Sequence, residues 1–290
     1  MTREEKYLII SDLDGTLLNS KGQLSQATID YVKQLKEMGH IFCISTGRPI
    51  RGAIGIYNQL GLDTLMLNYN GAYVSNPTDK EFSPIDMTFS KEIAREIFKC
   101  EKIKKYIANA LIEGRNKAYM LHEEPNLDIK TDLREIFHID TLNGVGDLKN
   151  DIDNLEHDVN SILINVDKSN DEDSFDKLVY WIKRICSTLV VREWSVPSVG
   201  TILEINSIFA NKGMGLKYLS SYYGIPTDKI ITFGDGENDM NMLADAKYGF
   251  AMKNGSKAAK VVSRHITKHT NDEDGVIWEI EYFLKNTPNN

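Results

Sequence analysis

Two aspartates, Asp12 and Asp14, come directly after a short run of apolar residues near the start of the chain. The run, residues 7–10, is typical of an interior strand, and Gly15 with Thr16 after it is typical of a tight turn. Two carboxylates are therefore expected side by side where a buried strand becomes a loop. Because like charges repel at that distance, the pair needs either raised pKa values or a nearby cation.

The residues that follow predict a strand, helix and strand joined by short connections. Ser25 fits the N-cap of a helix that ends at Gly39, and the next strand is expected at 41–46. Strands joined in this way run parallel. The last third of the chain repeats the alternation, with strands expected at 230–235 and 248–252. The fold class predicted is α/β, with a doubly wound, Rossmann-like parallel-sheet core.

The middle of the chain has a different texture. Charged helical stretches such as 91–105 alternate with strand-like runs such as 106–112 and 161–166. This pattern predicts an α+β domain at 86–204, inserted into a discontinuous core domain made of residues 1–85 and 205–290.

The charge and cysteine content exclude several classes of protein. Thirty-four basic residues against 42 acidic ones leave a formal net charge of −8, which argues against a general affinity for nucleic acid or for an anionic membrane. Three scattered cysteines do not indicate a disulfide framework, and no run of about eighteen apolar residues suggests a membrane span. We expect a cytoplasmic monomer or homodimer that binds neither nucleic acid nor a membrane.

Polar residues follow three of the predicted strands: Asp12 and Asp14 the first, Thr46 the second, and Asp235 a later one. Because parallel neighbours end at one edge of a sheet, these side chains are expected to converge there. An oxygen-only set suits a hard cation, and Mg²⁺ is favoured over Ca²⁺ because it accepts few carboxylates beside water and phosphate oxygens. Lys212, at a predicted helix start, would offset negative charge and hold a phosphate.

Four short motifs carry a resemblance to a known family: DLDGT at 12–16, STGR at 45–48, NKG at 211–213 and GDGENDMNML at 234–243. In this order and spacing they resemble the four motifs of the haloacid dehalogenase-like (HAD) phosphohydrolases. The segment between the second and third motifs resembles the type IIB cap of the Cof-type subfamily. The resemblance covers essentially the whole chain.

The resemblance implies a division of labour between the two aspartates. Asp12 would be the nucleophile that forms an aspartyl-phosphate, and Asp14 would protonate the leaving oxygen and then activate water. Family members that cleave carbon–halogen bonds need no acid at the position of Asp14, so its presence favours phosphate esters.

The resemblance also implies the residues that bind phosphate and metal. The phosphate or substrate would be bound by Thr46, Gly47, Lys212 and Asn238. The Mg²⁺ ion would be held by the carboxylates of Asp12 and Asp235 and the backbone carbonyl of Asp14. Two further residues are expected beside the phosphate and metal ligands. Asp239 would support the metal's waters or Lys212, and Arg48 would either contact substrate or pair with a carboxylate.

These roles predict a magnesium-dependent phosphatase that hydrolyses small phosphorylated metabolites, with sugar phosphates as the expected class. Two alternatives stay open: a phosphosugar mutase, and a non-enzymatic phospho-acceptor or binding protein. Receiver modules also combine a phosphorylated aspartate with other acids, a hydroxyl and a lysine. They are, however, much shorter than 290 residues and lack a partner like Asp14.

Overall fold

The computed structural model describes residues 6–114, 117–121, 145–147, 152–168, 173–196 and 200–286. The chain divides into two compact units, Met1–Ile85 with Asn211–Asn290, and Asp86–Ala210. The expected α/β core with an inserted α+β domain is confirmed. The inserted unit runs past the predicted boundary at residue 204 to Ala210, because strand pairing with its sheet continues to Ser207.

Strands and helices alternate through most of the described chain. The described strands are β1 (Leu8–Ser11), β2 (Ile41–Ser45), β3 (Met66–Asn68), β4 (Tyr73–Ser75), β5 (Ile85–Asp86), β6 (Ile107–Glu113), β7 (Ala118–Met120), β8 (Val145–Asp147), β9 (Ser161–Val166), β10 (Leu189–Val196), β11 (Gly200–Ser207), β12 (Ile230–Gly234), β13 (Tyr248–Ala251) and β14 (His265–Ile266). The described α-helices are α1 (Gln26–Glu37), α2 (Ile50–Gln59), α3 (Lys91–Lys99), α4 (Glu101–Lys104), α5 (Ser174–Ile185), α6 (Lys212–Tyr223), α7 (Met240–Asp245), α8 (Lys257–Val262) and α9 (Gly275–Asn286).

The core unit is built on an eight-stranded sheet in the order β14-β13-β12-β1-β2-β3-β4-β5. The strands from β14 to β3 are parallel, and β4 is antiparallel to β3. On β1, Ile9 packs on one face with residues of α1, α2 and α9, while Leu8 and Ile10 pack on the other with α6 and α7. Helices cover both faces, which makes the sheet doubly wound and places β1 at its centre, between β12 and β2.

Capping side chains fix where two of these helices begin. Ser25 accepts a hydrogen bond from the backbone N–H of Thr28, as the sequence predicts for α1. Asn211 accepts one from the N–H of Met214 at the start of α6, and Gly224 ends α6 in a left-handed conformation with φ 64°. The cap at Asn211 places Lys212 in the first turn of its helix.

The prediction of a single helix at 91–105 is wrong, because two helices lie there. Cys100 has an extended backbone, φ −73° and ψ 109°, and separates α3 from α4. In a continuous helix Ile103 would lie away from the stripe formed by Ala94 and Ile97, whereas the break allows all three to be buried in the same core.

In the described part of the inserted unit, six strands form a sheet in the order β10-β11-β9-β6-β7-β8. Its pairings are antiparallel except between β7 and β8. Alternate residues of β6 and β9, such as Ile112 and Ile162, pack with Ile97 of α3 and Leu178 of α5. One face of this sheet is thus covered by helices, the arrangement expected of an α+β domain.

Across the described ranges, no helix combines the length and the apolarity that crossing a membrane requires. The cysteines Cys43, Cys100 and Cys186 are all free thiols.

Candidate active site

Three carboxylates meet at the carboxyl edge of the core sheet. Oxygens of Asp12, Asp235 and Asp239 lie within 4.8 Å of one another. Asp12 follows β1 and Asp235 follows β12, and the backbone N–H of Asp12 donates to the carbonyl of Phe233 on β12, 3.1 Å away. Parallel pairing of these two strands thus brings together side chains more than two hundred positions apart in the sequence.

Lys212 is fully buried between two of these carboxylates. Its Nζ lies 2.9 Å from Oδ1 of Asp12 and 2.6 Å from Oδ1 of Asp239. Burial alone would lower the pKa of Lys212, but the charges of Asp12 and Asp239 raise it above its ordinary value. The ammonium therefore stays charged and offsets part of the negative charge of the cluster.

Both oxygens of Asp239 are engaged by groups of the protein. Oδ1 accepts from Lys212, and Oδ2 accepts the backbone N–H groups of Asp235 and Gly236, both at 2.9 Å. A Cβ at position 234 would lie 2.4 Å from the Asp239 side chain, so this approach needs Gly234. Asp239 therefore holds Lys212 and the loop after β12 in place.

Asp12 and Asp235 are harder to ionise than ordinary aspartates, because both carboxyl groups are largely buried. Burial raises the pKa of Asp12 well above its ordinary value, Lys212 opposes the rise, and the charges of Asp239 and Asp235 add to it. Burial and the charge of Asp239 raise the pKa of Asp235 to about 6, although the Thr16 hydroxyl donates to its Oδ1 at 2.9 Å. Oxygen donors that are costly to charge on their own fit a hard divalent cation.

The carboxylate of Asp14 points to a different partner. Arg48 holds it through both oxygens, with Nε 2.7 Å from Oδ2 and Nη2 2.6 Å from Oδ1. Arg48 is in turn anchored by its Nη1, which donates to the carbonyl of Gly52 at 3.0 Å. Of the two roles left open for Arg48, the structure contains the carboxylate pair. The Asp14 side chain stays 56% exposed, so it remains accessible from solvent.

Thr46 and Gly47 lie at the end of β2, the other neighbour of β1. Thr46 is buried, its backbone N–H donates to Leu67 at 2.9 Å, and its Oγ1 accepts the N–H of Arg48 at 3.1 Å. A Cβ at Gly47 would lie 3.3 Å from Oδ1 of Asn70, so glycine gives this loop room to lie against Asn70.

Asn238 lies in the loop after β12 and donates through Nδ2 to Oδ1 of Asn70, 2.8 Å away. No sequence motif points to Asn70. Asn254 also lies outside the motifs, and its Nδ2 donates to the carbonyl of Gly15 at 2.7 Å. Asn254 follows β13, so the rule that polar residues after parallel strands converge at one edge would have found it.

The comparisons with known proteins agree with the motifs. A family model described as haloacid dehalogenase-like hydrolase matches residues 9–280. The 5-amino-6-(5-phospho-D-ribitylamino)uracil phosphatase of Bacillus subtilis is 36% identical over 281 residues, which cover 96% of this chain and 97% of that protein. A putative phosphatase of Metamycoplasma hominis is 29% identical over 284 residues, covering 97% of this chain and 98% of that protein.

Solved structures share the fold over nearly all of the chain. A haloacid dehalogenase-like hydrolase from Bacteroides thetaiotaomicron superposes with a TM-score of 0.79 at 24% identity, covering 96% of this chain and 100% of that chain. A HAD subclass IIB sugar phosphatase superposes with a TM-score of 0.74 at 19% identity, covering 96% and 98%. The relatives are named as phosphatases, so the expected enzyme class is confirmed. The four motifs, their convergence at one sheet edge and the match over residues 9–280 show that this chain belongs to the haloacid dehalogenase-like hydrolases.

Proposed function

We propose that this protein is a magnesium-dependent phosphatase that hydrolyses small phosphorylated metabolites through an aspartyl-phosphate on Asp12. The observation that carries the proposal is the burial of Lys212 between Asp12 and Asp239, beside Asp235, at the carboxyl edge of the sheet. A nucleophilic carboxylate, a fixed cation and further oxygen donors are the groups that phosphoryl transfer requires.

The residues that would hold Mg²⁺ are Asp12 and Asp235, through their carboxylates, and Asp14, through its backbone carbonyl. When bound, the ion supplies positive charge that screens the carboxylates and balances negative charge on the transferring phosphoryl group. The raised pKa values of Asp12 and Asp235 support this assignment, because a site that penalises two bare carboxylates gains from a cation.

The reaction uses the two aspartates in turn. Lys212 holds Oδ1 of Asp12 at 2.9 Å and so orients the carboxylate. An Asp12 oxygen attacks phosphorus, the bond to the ester oxygen breaks, and Asp14 gives that oxygen a proton. Asp14 then takes a proton from water, and the water oxygen attacks phosphorus. The bond between phosphorus and the Asp12 oxygen breaks, which releases inorganic phosphate and restores the Asp12 carboxylate. Thr46, Gly47, Lys212 and Asn238 bind the phosphoryl group during both steps.

The proposed substrates are phosphate monoesters of sugars and sugar alcohols. The Bacillus relative is named for a substrate with a phosphorylated ribityl chain, and a structural neighbour is named a sugar phosphatase. We place the reaction in the cytoplasm, which the free thiols of Cys43, Cys100 and Cys186 support.

A substrate panel tests this proposal. The purified protein, with Mg²⁺, is assayed for phosphate release from p-nitrophenyl phosphate, sugar phosphates, sugar-alcohol phosphates and the ribityl substrate of the relative. Glucose bisphosphate is added in parallel, because a mutase would convert phosphosugars into isomers without net release. We expect hydrolysis of several panel members. A folded protein that releases no phosphate from any member, or that only isomerises phosphosugars, would contradict the proposal.

Magnesium should stabilise the folded protein at about pH 8 and much less at about pH 5. Asp235 has a pKa of about 6 in the folded chain against 3.8 for an ordinary aspartate, so without metal its protonation stabilises the fold as the pH falls through 6. Protons then compete with the ion, and the increase in unfolding temperature caused by Mg²⁺ should decline through this range. Differential scanning fluorimetry with and without EDTA measures it.

The matched variants for this measurement are Asp235→Asn, which should lose most of the Mg²⁺-induced increase, and Asp30→Asn, which removes an exposed carboxylate on α1 and should keep it. If Mg²⁺ raised the unfolding temperature equally at both pH values and in both variants, the ion would bind elsewhere.

Asp14→Asn should lower kcat by about 10²- to 10⁴-fold, because no acid or base of matching position remains. The loss in kcat/KM should be larger for alkyl phosphates than for p-nitrophenyl phosphate, whose leaving group needs no proton. The Mg²⁺-induced stabilisation should persist, because Asp14 would bind the ion only through its carbonyl. Equal losses for both ester classes would contradict the acid role.

A further inference from the structure

Two consecutive residues other than glycine, Tyr69 and Asn70, have left-handed backbone conformations just after β3. Their φ angles are 49° and 56°, and both residues are buried. L-amino acids adopt this region at a cost, with asparagine more tolerant than tyrosine. Such strain persists where the surroundings hold the chain in place, and it concentrates at functional sites.

This turn is bonded to the loop that carries Thr46. The backbone N–H of Asn70 donates to the carbonyl of Thr46 at 3.0 Å, and that of Tyr69 donates to the carbonyl of Arg48 at 3.3 Å. The side chain of Asn68 donates to the same Arg48 carbonyl at 3.0 Å. The unusual backbone is therefore set by the loop that follows β2.

The same turn also lies against the start of α6. A Cβ at Gly71, whose φ is 92°, would lie 2.9 Å from the carbonyl oxygen of Asn211. Asn70 thus stands between the loop of Thr46 and the helix start of Lys212, two of the segments proposed to bind the phosphoryl group.

The side chain of Asn70 is hydrogen-bonded to that of Asn238. Oδ1 of Asn70 accepts a hydrogen bond from Nδ2 of Asn238 at 2.8 Å. A carboxamide nitrogen carries two hydrogens, so one remains for an anionic ligand. With the Asn70 carbonyl oxygen facing Asn238, as here, a flipped Asn238 would set oxygen against oxygen, which is unfavourable. In this arrangement Asn238 is therefore the hydrogen-bond donor of the pair.

We propose that Asn70 is a positioning residue that holds the Asn238 carboxamide with one N–H available to the phosphate ester. This inference rests on the proposed phosphatase function and extends it to a residue outside the four motifs.

The test is a double-mutant cycle with Asn70→Gly and Asn238→Ala. Glycine occupies a left-handed position freely, so Asn70→Gly removes the side chain without adding strain. Each single variant should lose about tenfold or more in kcat/KM for p-nitrophenyl phosphate, the scale of a hydrogen bond to a charged group. The double variant should be no worse than Asn238→Ala alone, since Asn70 acts through Asn238.

A matched control separates this role from a general effect on the fold. Among the described residues other than glycine, Asp274 is the third with a left-handed backbone, φ 54°, and its carboxylate accepts from the Thr28 hydroxyl at 3.2 Å. Asp274→Gly makes the same kind of change far from the motifs in sequence and should keep kcat/KM within about twofold of the parent. Circular dichroism and thermal unfolding confirm that each variant is folded.

Affinity for inorganic phosphate, measured by calorimetry with Mg²⁺ present, is the second readout, and it should weaken about tenfold in Asn70→Gly. Parent-like kcat/KM and phosphate affinity in Asn70→Gly would overturn the inference, as would losses that multiply in the double variant. If the parent hydrolyses no ester, the proposed function fails, and the phosphate affinities of the same four proteins still decide the role of Asn70. A parent that binds no phosphate overturns both.

Discussion

Asp12→Asn is expected to abolish phosphatase activity, by more than about 10⁴-fold in kcat, while the protein stays folded. An amide oxygen is a poor nucleophile toward phosphorus and a weaker metal ligand than a carboxylate. The fold should survive because asparagine has the shape of aspartate. In the parent, Lys212 Nζ lies 2.9 Å from Oδ1 of Asp12, and the carbonyl oxygen of asparagine can accept the same hydrogen bond. The substitution also removes a buried carboxylate whose pKa is strongly raised.

The measurement is phosphate release with Mg²⁺ from the best member of the substrate panel, together with thermal unfolding. Asp30→Asn, an exposed carboxylate on α1, is the control and should match the parent in both assays. Turnover by Asp12→Asn at the parental rate, with mass spectrometry confirming asparagine at position 12, would exclude the proposed nucleophile.

Lys212→Met is expected to be the most destabilising single substitution among the site residues. Methionine matches the length of the lysine stem, so the change leaves little empty volume. It leaves Asp12 and Asp239 buried without their cation, and breaking one partner out of a buried ion pair costs about 3–5 kcal/mol. Activity should fall by more than about 10³-fold, because the charge that holds Asp12 and the phosphoryl group is lost.

The control lies on the same helix. Lys217 of α6 is mostly exposed and pairs with Asp245 at 3.0 Å, so Lys217→Met should change the free energy of unfolding by no more than about 1 kcal/mol. Chemical denaturation with Mg²⁺ present measures both variants. If Lys212→Met were as stable as Lys217→Met, the ammonium of Lys212 would not be compensating the two carboxylates.

Much of the fold follows from local patterns in the sequence. The apolar run at 7–10 becomes β1 because a strand buried on both faces needs no alternation. Ser25 caps α1 as the sequence predicts, and α6 begins at Lys212, the predicted helix start. The meeting of Asp12 with Asp235 follows from one physical rule, that parallel strands end at a common edge. The placement of Lys212 near the carboxylates agrees with its predicted position at a helix start.

Other features depend on contacts that no local pattern encodes. The break at Cys100 allows Ile103 to be buried. Whether Ile103 is buried depends on how the inserted unit packs, which the local sequence does not specify. The pairing of Arg48 with Asp14 depends on the conformations of the loops after β2 and β1. The spacing of the two residues in the sequence does not determine these conformations. The position of Asn70 could not be predicted from the sequence for a similar reason. It depends on a left-handed backbone, and hydrophobic periodicity carries no information about φ.

Chemical trapping can identify the residue that carries phosphate during turnover. The enzyme, mixed with substrate and Mg²⁺, is quenched in acid within the first turnover, reduced with borohydride and mapped by mass spectrometry. Borohydride converts an aspartyl-phosphate into homoserine. We expect homoserine at position 12 in the parent and none in Asp12→Asn. Homoserine at 14 or 235, or steady turnover without any modified aspartate, would contradict it.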